Sequence, residues 1–209
     1  MKLLFISLGC DKNLVDSEEM LGMLAADGHE IVDDEDEAEV IIVNTCCFIG
    51  DAKEESVNTI LEMAEKKKAG TCKVLIVTGC MAQRYKKEIS EEIPEVDAIL
   101  GTTSYGEISK AVNEAQAGRH FEEYKSIDFL PDISGKRMLT TGGHFAYLKI
   151  AEGCDKHCTY CIIPKLRGSY RSVPMEQLVK EARSLAEKGV KELILVAQET
   201  TVYGQDIYG

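Results

Sequence analysis

The sequence predicts an α/β protein: an N-terminal doubly wound parallel-sheet domain, followed by the first βα units of a second, incomplete α/β domain. Three observations carry this reading. Short runs that are almost wholly apolar recur in the first half, helical stretches ending at glycine or proline separate them, and a new strand–helix–strand series opens after an irregular polar stretch.

Residues 2–7 (KLLFIS), 40–44 (VIIVN) and 73–78 (KVLIVT) lack the in–out alternation of a half-exposed strand, so each should be a strand buried on both faces of a parallel sheet. Weaker strands are expected at 30–32 and 98–100. Helices are expected at about 16–27 before Gly28, 54–68 before Gly70, 83–92 before Pro94, and 105–117 before Gly118. From residue 119 to Gly143 the pattern dissolves around Pro131, Gly135, Gly142 and Gly143. A second series follows, with a strand at 145–150, a cysteine-rich loop, a helix at 174–188 and a strand at 192–197. Two strands neither close a barrel nor form an independent parallel sheet. The expected organisation is therefore a domain over 1–120, a linker over 121–143, and the opening of a larger domain over 144–209.

With 44% hydrophobic and 29% charged residues among 209, the chain has globular rather than disordered composition. The net charge of -12 repels phosphate backbones and excludes a broad electrostatic grip on nucleic acid. No run of eighteen apolar residues occurs, so no membrane-spanning helix and no membrane partner are expected. The opening MKLLFISLGC mimics a lipoprotein signal, but its apolar run is short and Asp11 and Lys12 follow at once; a cytoplasmic location is expected.

Eight cysteines are too few for a disulfide scaffold, and their positions are informative. Cys154, Cys158 and Cys161 stand in CDKHCTYC, a spacing that chance places about 0.01 times in such a chain and that folds three thiolates around one face of a metal cluster. Three sulfurs leave one iron of a 4Fe-4S cluster open for a substrate or cofactor. A structural zinc site with His157 as fourth ligand is the alternative. Cys10, Cys46 and Cys80 each follow one of the three strongest strands, and parallel strands share one carboxyl edge where ligands bind. These three should converge on a second open-cornered site, with Gly9 and Gly79 permitting close approach; buried cysteines filling strand ends are the competing explanation. Cys47 should point elsewhere, Cys72 lies at the opposite sheet edge without a role, and His29, His120 and His144 are read as ordinary. Residues 33–39 are read as a solvated acidic loop. The basic residues Lys165, Arg167 and Arg171 fit phosphate or carboxylate recognition and a solvated face equally well.

The CDKHCTYC segment, with Tyr160 directly before its third cysteine, resembles the radical S-adenosylmethionine enzymes. Together with SLGCDKNLVDSE, NTCCFI, CIIPKLRGSYRS and QETTVYG, it makes the whole chain similar to the methylthiotransferase family. Asp11 stands where that family often has proline, and Glu199 where it often has aspartate.

The resemblance implies that the second unit is the start of a radical S-adenosylmethionine barrel, with the remaining barrel and a small TRAM domain absent from these residues, so that the 209 residues alone are not expected to turn over. It implies two 4Fe-4S clusters, on Cys10, Cys46 and Cys80 and on Cys154, Cys158 and Cys161. It also implies S-adenosylmethionine as cofactor, with Tyr160, Gln198 and Glu199 as contacts. In such enzymes one electron, from a donor protein, cleaves the cofactor to a radical that abstracts hydrogen, and the other cluster presents sulfur. The implied substrate is an aspartate β-carbon in the small-subunit ribosomal protein numbered twelve, with tRNA as the alternative; a non-enzymatic metal-binding or electron-transfer module is the third reading. No residue is assigned a direct catalytic role.

Overall fold

The computed structural model describes residues 1–131 and 137–209; Gly135, within the expected linker, lies outside them. Its first part runs β1 (Lys2–Ser7), α1 (Asp11–Ala26), β2 (Glu30–Ile31), β3 (Val40–Thr45), α2 (Gly50–Lys68) and β4 (Val74–Gly79). There follow α3 (Cys80–Arg84), α4 (Lys86–Glu92), β5 (Ala98–Leu100), α5 (Ile108–Gln116) and β6 (Phe121–Glu123). The six strands form one parallel sheet in the order β2-β1-β3-β4-β5-β6.

The apolar runs are continuous because both faces of the sheet are covered. Along β3 and β4, alternate residues enter opposite cores. Ile41, Val43, Leu75 and Val77 pack with Ile60, Met63 and Met81 on one face. Val40, Ile42, Val74 and Ile76 pack with Met20, Leu24, Ile108 and Val112 on the other. This positions the carboxyl ends of β1, β3 and β4 side by side, with Ser7 opposite Asn44 and Thr45 opposite Gly79.

Three local departures from the sequence reading have physical causes. Helix α1 begins at Asp11, five residues before the expected start, because Lys12, Asn13, Asp16 and Glu18 are buried polar residues that bond to the second unit, and Ser17 is buried against Ser7 and Asn44, rather than forming a solvated loop. The expected helix at 83–92 is broken at Tyr85, whose φ of -118° and ψ of 33° are not helical. The sheet also takes a sixth strand, β6, from the stretch read as a linker; an edge strand pairs on one side only and needs no continuous apolar run.

The second part contains β7 (Phe145–Lys149), β8 (Ala151–Glu152), α6 (Ile163–Arg167), β9 (Arg171–Ser172), α7 (Met175–Glu187), β10 (Glu192–Val196) and α8 (Gln205–Tyr208). Strands β7 and β10 pair in parallel around the α7 crossover, and β8 and β9 form a short antiparallel pair. Leu193, Ile194 and Leu195 of β10 are solvent-exposed although successive residues point to opposite faces, so neither face of this edge strand is fully covered by the described residues.

Two buried ionic clusters join the parts. Arg137 donates from Nε to Glu18 at 2.7 Å and from Nη1 to Glu181 at 2.8 Å, while Glu18 Oε1 accepts from the Thr140 backbone at 2.7 Å. In the other cluster, Arg167 pairs with Asp16 at 2.9 Å and Glu152 at 3.1 Å, Lys149 pairs with Asp16 and, at 3.0 Å, with Glu152, and Lys12 lies 3.4 Å from Glu152. Among the described residues no helix is long and apolar enough to cross a membrane.

Candidate functional site

Each early cysteine sits where a buried strand stops. Cys10 is the N-cap of α1, Cys46 follows β3, and Cys80 opens α3 directly after β4. The turns that deliver them need glycine. Gly79 has φ 92°, and a Cβ there would lie 2.3 Å from Asn44 Oδ1 and 2.5 Å from the Thr45 carbonyl. At Gly9, φ 98°, a Cβ would come within 2.8 Å of Cys46 Cβ. Asn13 cross-ties the three ends: its Nδ2 donates to Leu8 O and Thr45 O, both at 3.0 Å, and its Oδ1 stands 3.9 Å from Cys80 Sγ.

The later cysteines lie in the loop between β8 and α6. This loop is anchored at its base, where the Cys154 amide donates to Gly168 O at 3.1 Å, and its last turn is closed by Cys161 N to Cys158 O at 3.0 Å. Gly153, φ 73°, is packed so tightly that a Cβ would fall 1.9 Å from Ser169 O.

Both sets line one cavity of about 630 Å³: Cys10, Cys46, Cys80, Cys154, Cys158 and Cys161 all contribute to its wall. All eight cysteines are free thiols; Cys46 and Cys80 are buried, whereas Cys10 and Cys158 are exposed. No group of three metal-ligating side chains among the described residues converges on the span of a single ion. A cubane makes no such demand, because each thiolate binds a different iron. Soft sulfur donors at glycine-lined strand ends, facing an open cavity of this size, fit iron–sulfur clusters.

The other cysteines turn away. Cys47 is buried in the core, where its Sγ donates to Cys80 O at 3.3 Å, and burial pushes its thiol up to about 11. Cys72 is buried at the amino end of β4, with its Sγ 3.0 Å from Val74 O. Burial likewise lifts the Cys80 thiol, but the Arg167 guanidinium opposes that shift.

The structure divides the three expected cofactor contacts. Tyr160, 88% exposed, and Gln198 line the same cavity as the cysteines. Glu199 lines a neighbouring cavity of about 400 Å³ with Cys154, Asp155 and Tyr170, so Cys154 borders both spaces. Hydrogen bonds from Lys156 and Thr201 pull the Glu199 carboxyl down to about 2. Arg167 is not part of a solvated face: it is buried, and the carboxylates it pairs with are this chain's own Asp16 and Glu152. Asn13, Asp16, Lys149 and Glu152 were not singled out from sequence, since only tertiary pairing distinguishes them from surface polar residues.

Comparison with known proteins agrees with this layout. Residues 2–101 match the model for "Uncharacterized protein family UPF0004", and residues 148–208 match "Radical SAM superfamily". Fold and site thus define a class: a UPF0004 domain joined to the opening of a Radical SAM domain. Over all 209 residues the chain is 66% identical to a protein of Lachnoclostridium phytofermentans named "Ribosomal protein uS12 methylthiotransferase RimO", and it covers 48% of that protein. Relatives of the same name from Clostridioides difficile and Pelotomaculum thermopropionicum are 53% and 52% identical over the full chain, which covers 47% of each. The chain is thus similar along its whole length to these RimO proteins, and it spans about half the length of the curated relatives it matches.

Proposed function

We propose that this chain carries the two iron–sulfur sites of a radical S-adenosylmethionine methylthiotransferase that modifies the β-carbon of an aspartate in ribosomal protein uS12. The observation that supports this most is the shared cavity: two three-cysteine sets, distant in sequence, face one space. Cys10, Cys46 and Cys80 would hold one 4Fe-4S cluster and Cys154, Cys158 and Cys161 the other. Removing hydrogen from an unactivated aliphatic carbon is beyond a side-chain base at neutral pH. When bound, the clusters and S-adenosylmethionine supply the one-electron chemistry that breaks the C–H bond and the sulfur for the new C–S bond.

This chain's residues position those groups. Glu199, held ionised, offers a carboxylate beside Cys154 for the cofactor's ammonium, and its present partner Lys156 has a side chain 63% exposed and free to swing away. Gln198 and Tyr160 stand on the cysteine side of the same wall. Phe48 and Ile49, both exposed, give the cavity an apolar rim that limits water around a reactive site. An external electron donor completes the reading, and a ribosomal substrate places the work in the cytoplasm.

Two measurements test the proposal. Anaerobic reconstitution of the full-length protein should give roughly eight irons per chain with charge-transfer absorption near ~400 nm; tight zinc without that absorption would overturn it. In a deletion strain, mass spectrometry should show uS12 without its methylthio group. Loss from tRNA alone would refute the substrate assignment; the acidic charge of -12 disfavours a tRNA substrate.

A further inference from the structure

We infer that Arg167, contributed by the radical S-adenosylmethionine half, is a positioning residue for the other half's cluster: its fixed positive charge balances the thiolates at the sheet edge and makes a cluster there easier to reduce. The inference rests on the proposed first cluster site and concerns how that site is tuned.

The geometry is specific. Arg167 lines the cavity, and its Nη2 donates to Asn13 Oδ1, the atom 3.9 Å from Cys80 Sγ. Asn13 in turn holds the carbonyls that precede Cys46 and lie two residues before Cys10. The guanidinium is thus built into the frame that aligns the early cysteines. Leu166 extends the contact, its carbonyl accepting from Thr102 Oγ1 at 2.9 Å, just beyond β5.

The charge count points the same way. Lys12, Lys149 and Arg167 face only two fully paired carboxylates, Asp16 and Glu152, all buried. Glu19 is the third carboxyl beside this group, but burial pushes it up to about 7, so near neutrality it supplies only part of a negative charge. Arg167 and Lys12 line the cavity, and Cys80 and Cys10 are the thiols among the largest electrostatic influences on Arg167. Three thiolates on a cubane carry the complementary negative charge, and adding one electron deepens it. In a buried site that added charge is stabilised by an adjacent fixed cation.

The test uses the full-length protein in two backgrounds: C154A/C158A/C161A, which retains only the first site, and C10A/C46A/C80A, which retains only the second. Each is reconstituted anaerobically and titrated with dithionite and redox mediators, with the reduced cluster read by electron paramagnetic resonance. Arg167→Gln should lower the reduced fraction of the first site at fixed potential at least tenfold, about 59 mV for a one-electron couple, and should move the second site by less than a third of that. Arg167→Lys should recover most of the shift. Asp16→Asn, which removes a counter-charge and keeps the shape, should move the first site the opposite way; it also carries the test should Arg167→Gln fail to fold. A smaller shift, equal shifts at both sites, or an Asp16→Asn shift in the same direction as Arg167→Gln would overturn the inference. If the first site holds no iron with Arg167 intact, the cluster assignment itself falls and the inference with it.

Discussion

The sheet edge gathers Cys10, Cys46 and Cys80 from three strands whose order in space was fixed by two apolar cores, whereas one short loop carries Cys154, Cys158 and Cys161 with little support beyond its own turns and a glycine at its base. Two of the early thiols are buried, while every thiol of the loop keeps some exposure. On the proposed reading the first site is a property of the whole fold, its ligands largely fixed before any metal arrives. On the same reading the second is a property of a sequence segment, a loop tied to its neighbours through the Cys154 amide and the Asp155 carboxylate. Damage should travel differently in the two: from scaffold to site in the first, and only from the ligands themselves in the second.

Ligand substitution should have the largest effect and tests the separateness of the sites. Cys46→Ala and Cys158→Ala should each roughly halve the iron content of the reconstituted full-length protein, from about eight to about four atoms, measured by iron analysis. Retention of all the iron in either variant would dissolve the distinction. On brief exposure to air, Cys46→Ala, left with only the loop site, should bleach faster than Cys158→Ala.

Next in size is Lys149→Met, which leaves Asp16 and Glu152 short of a buried partner; about 3–5 kcal/mol of stability should be lost, read by denaturant unfolding. Iron at the first site should fall with it, because Asp16 belongs to the helix that Cys10 caps. A smaller loss, of about 3 kcal/mol, is expected of Gly79→Ala, which combines strain at positive φ with overpacking against Asn44 and Thr45. That variant should lose iron from the first site and keep it at the loop.

The smallest effect is a pH dependence of the scaffold. With its carboxyl raised by burial to about 7, Glu19 favours the fold in its protonated form, most fully below its unfolded value, and that contribution is lost as pH rises through about 7. Glu19→Gln should match the parent near pH 4 and exceed it by at most about 3 kcal/mol above pH 8. Parallel stability curves across that range would remove Glu19 from the account.

What the sequence disclosed follows the same division. Strands β1, β3 and β4 were legible because burial on both faces writes an unbroken apolar run, and the loop cysteines because local spacing encodes a local site. That Cys10, Cys46 and Cys80 all line one cavity follows from the parallel-sheet rule that places strand ends together; their joint ligand role belongs to the proposal. The first turn of α1 was hidden because Lys12, Asn13 and Asp16 read as solvent-facing, and their partners Lys149, Glu152 and Arg167 lie more than a hundred residues away. Buried charge pairing has no periodicity. Nothing near Tyr85 marks the helix break, and β6 is too short and too polar to announce itself.

The joint built from Asp16, Lys149, Glu152 and Arg167 also bears on ancestry. Grafting this amino-terminal module onto a barrel that lacks Lys149, Glu152 and Arg167 would seal Asp16 and Lys12 inside the seam without partners, so the two halves exchange safely only with the whole joint, even when every cysteine is in place.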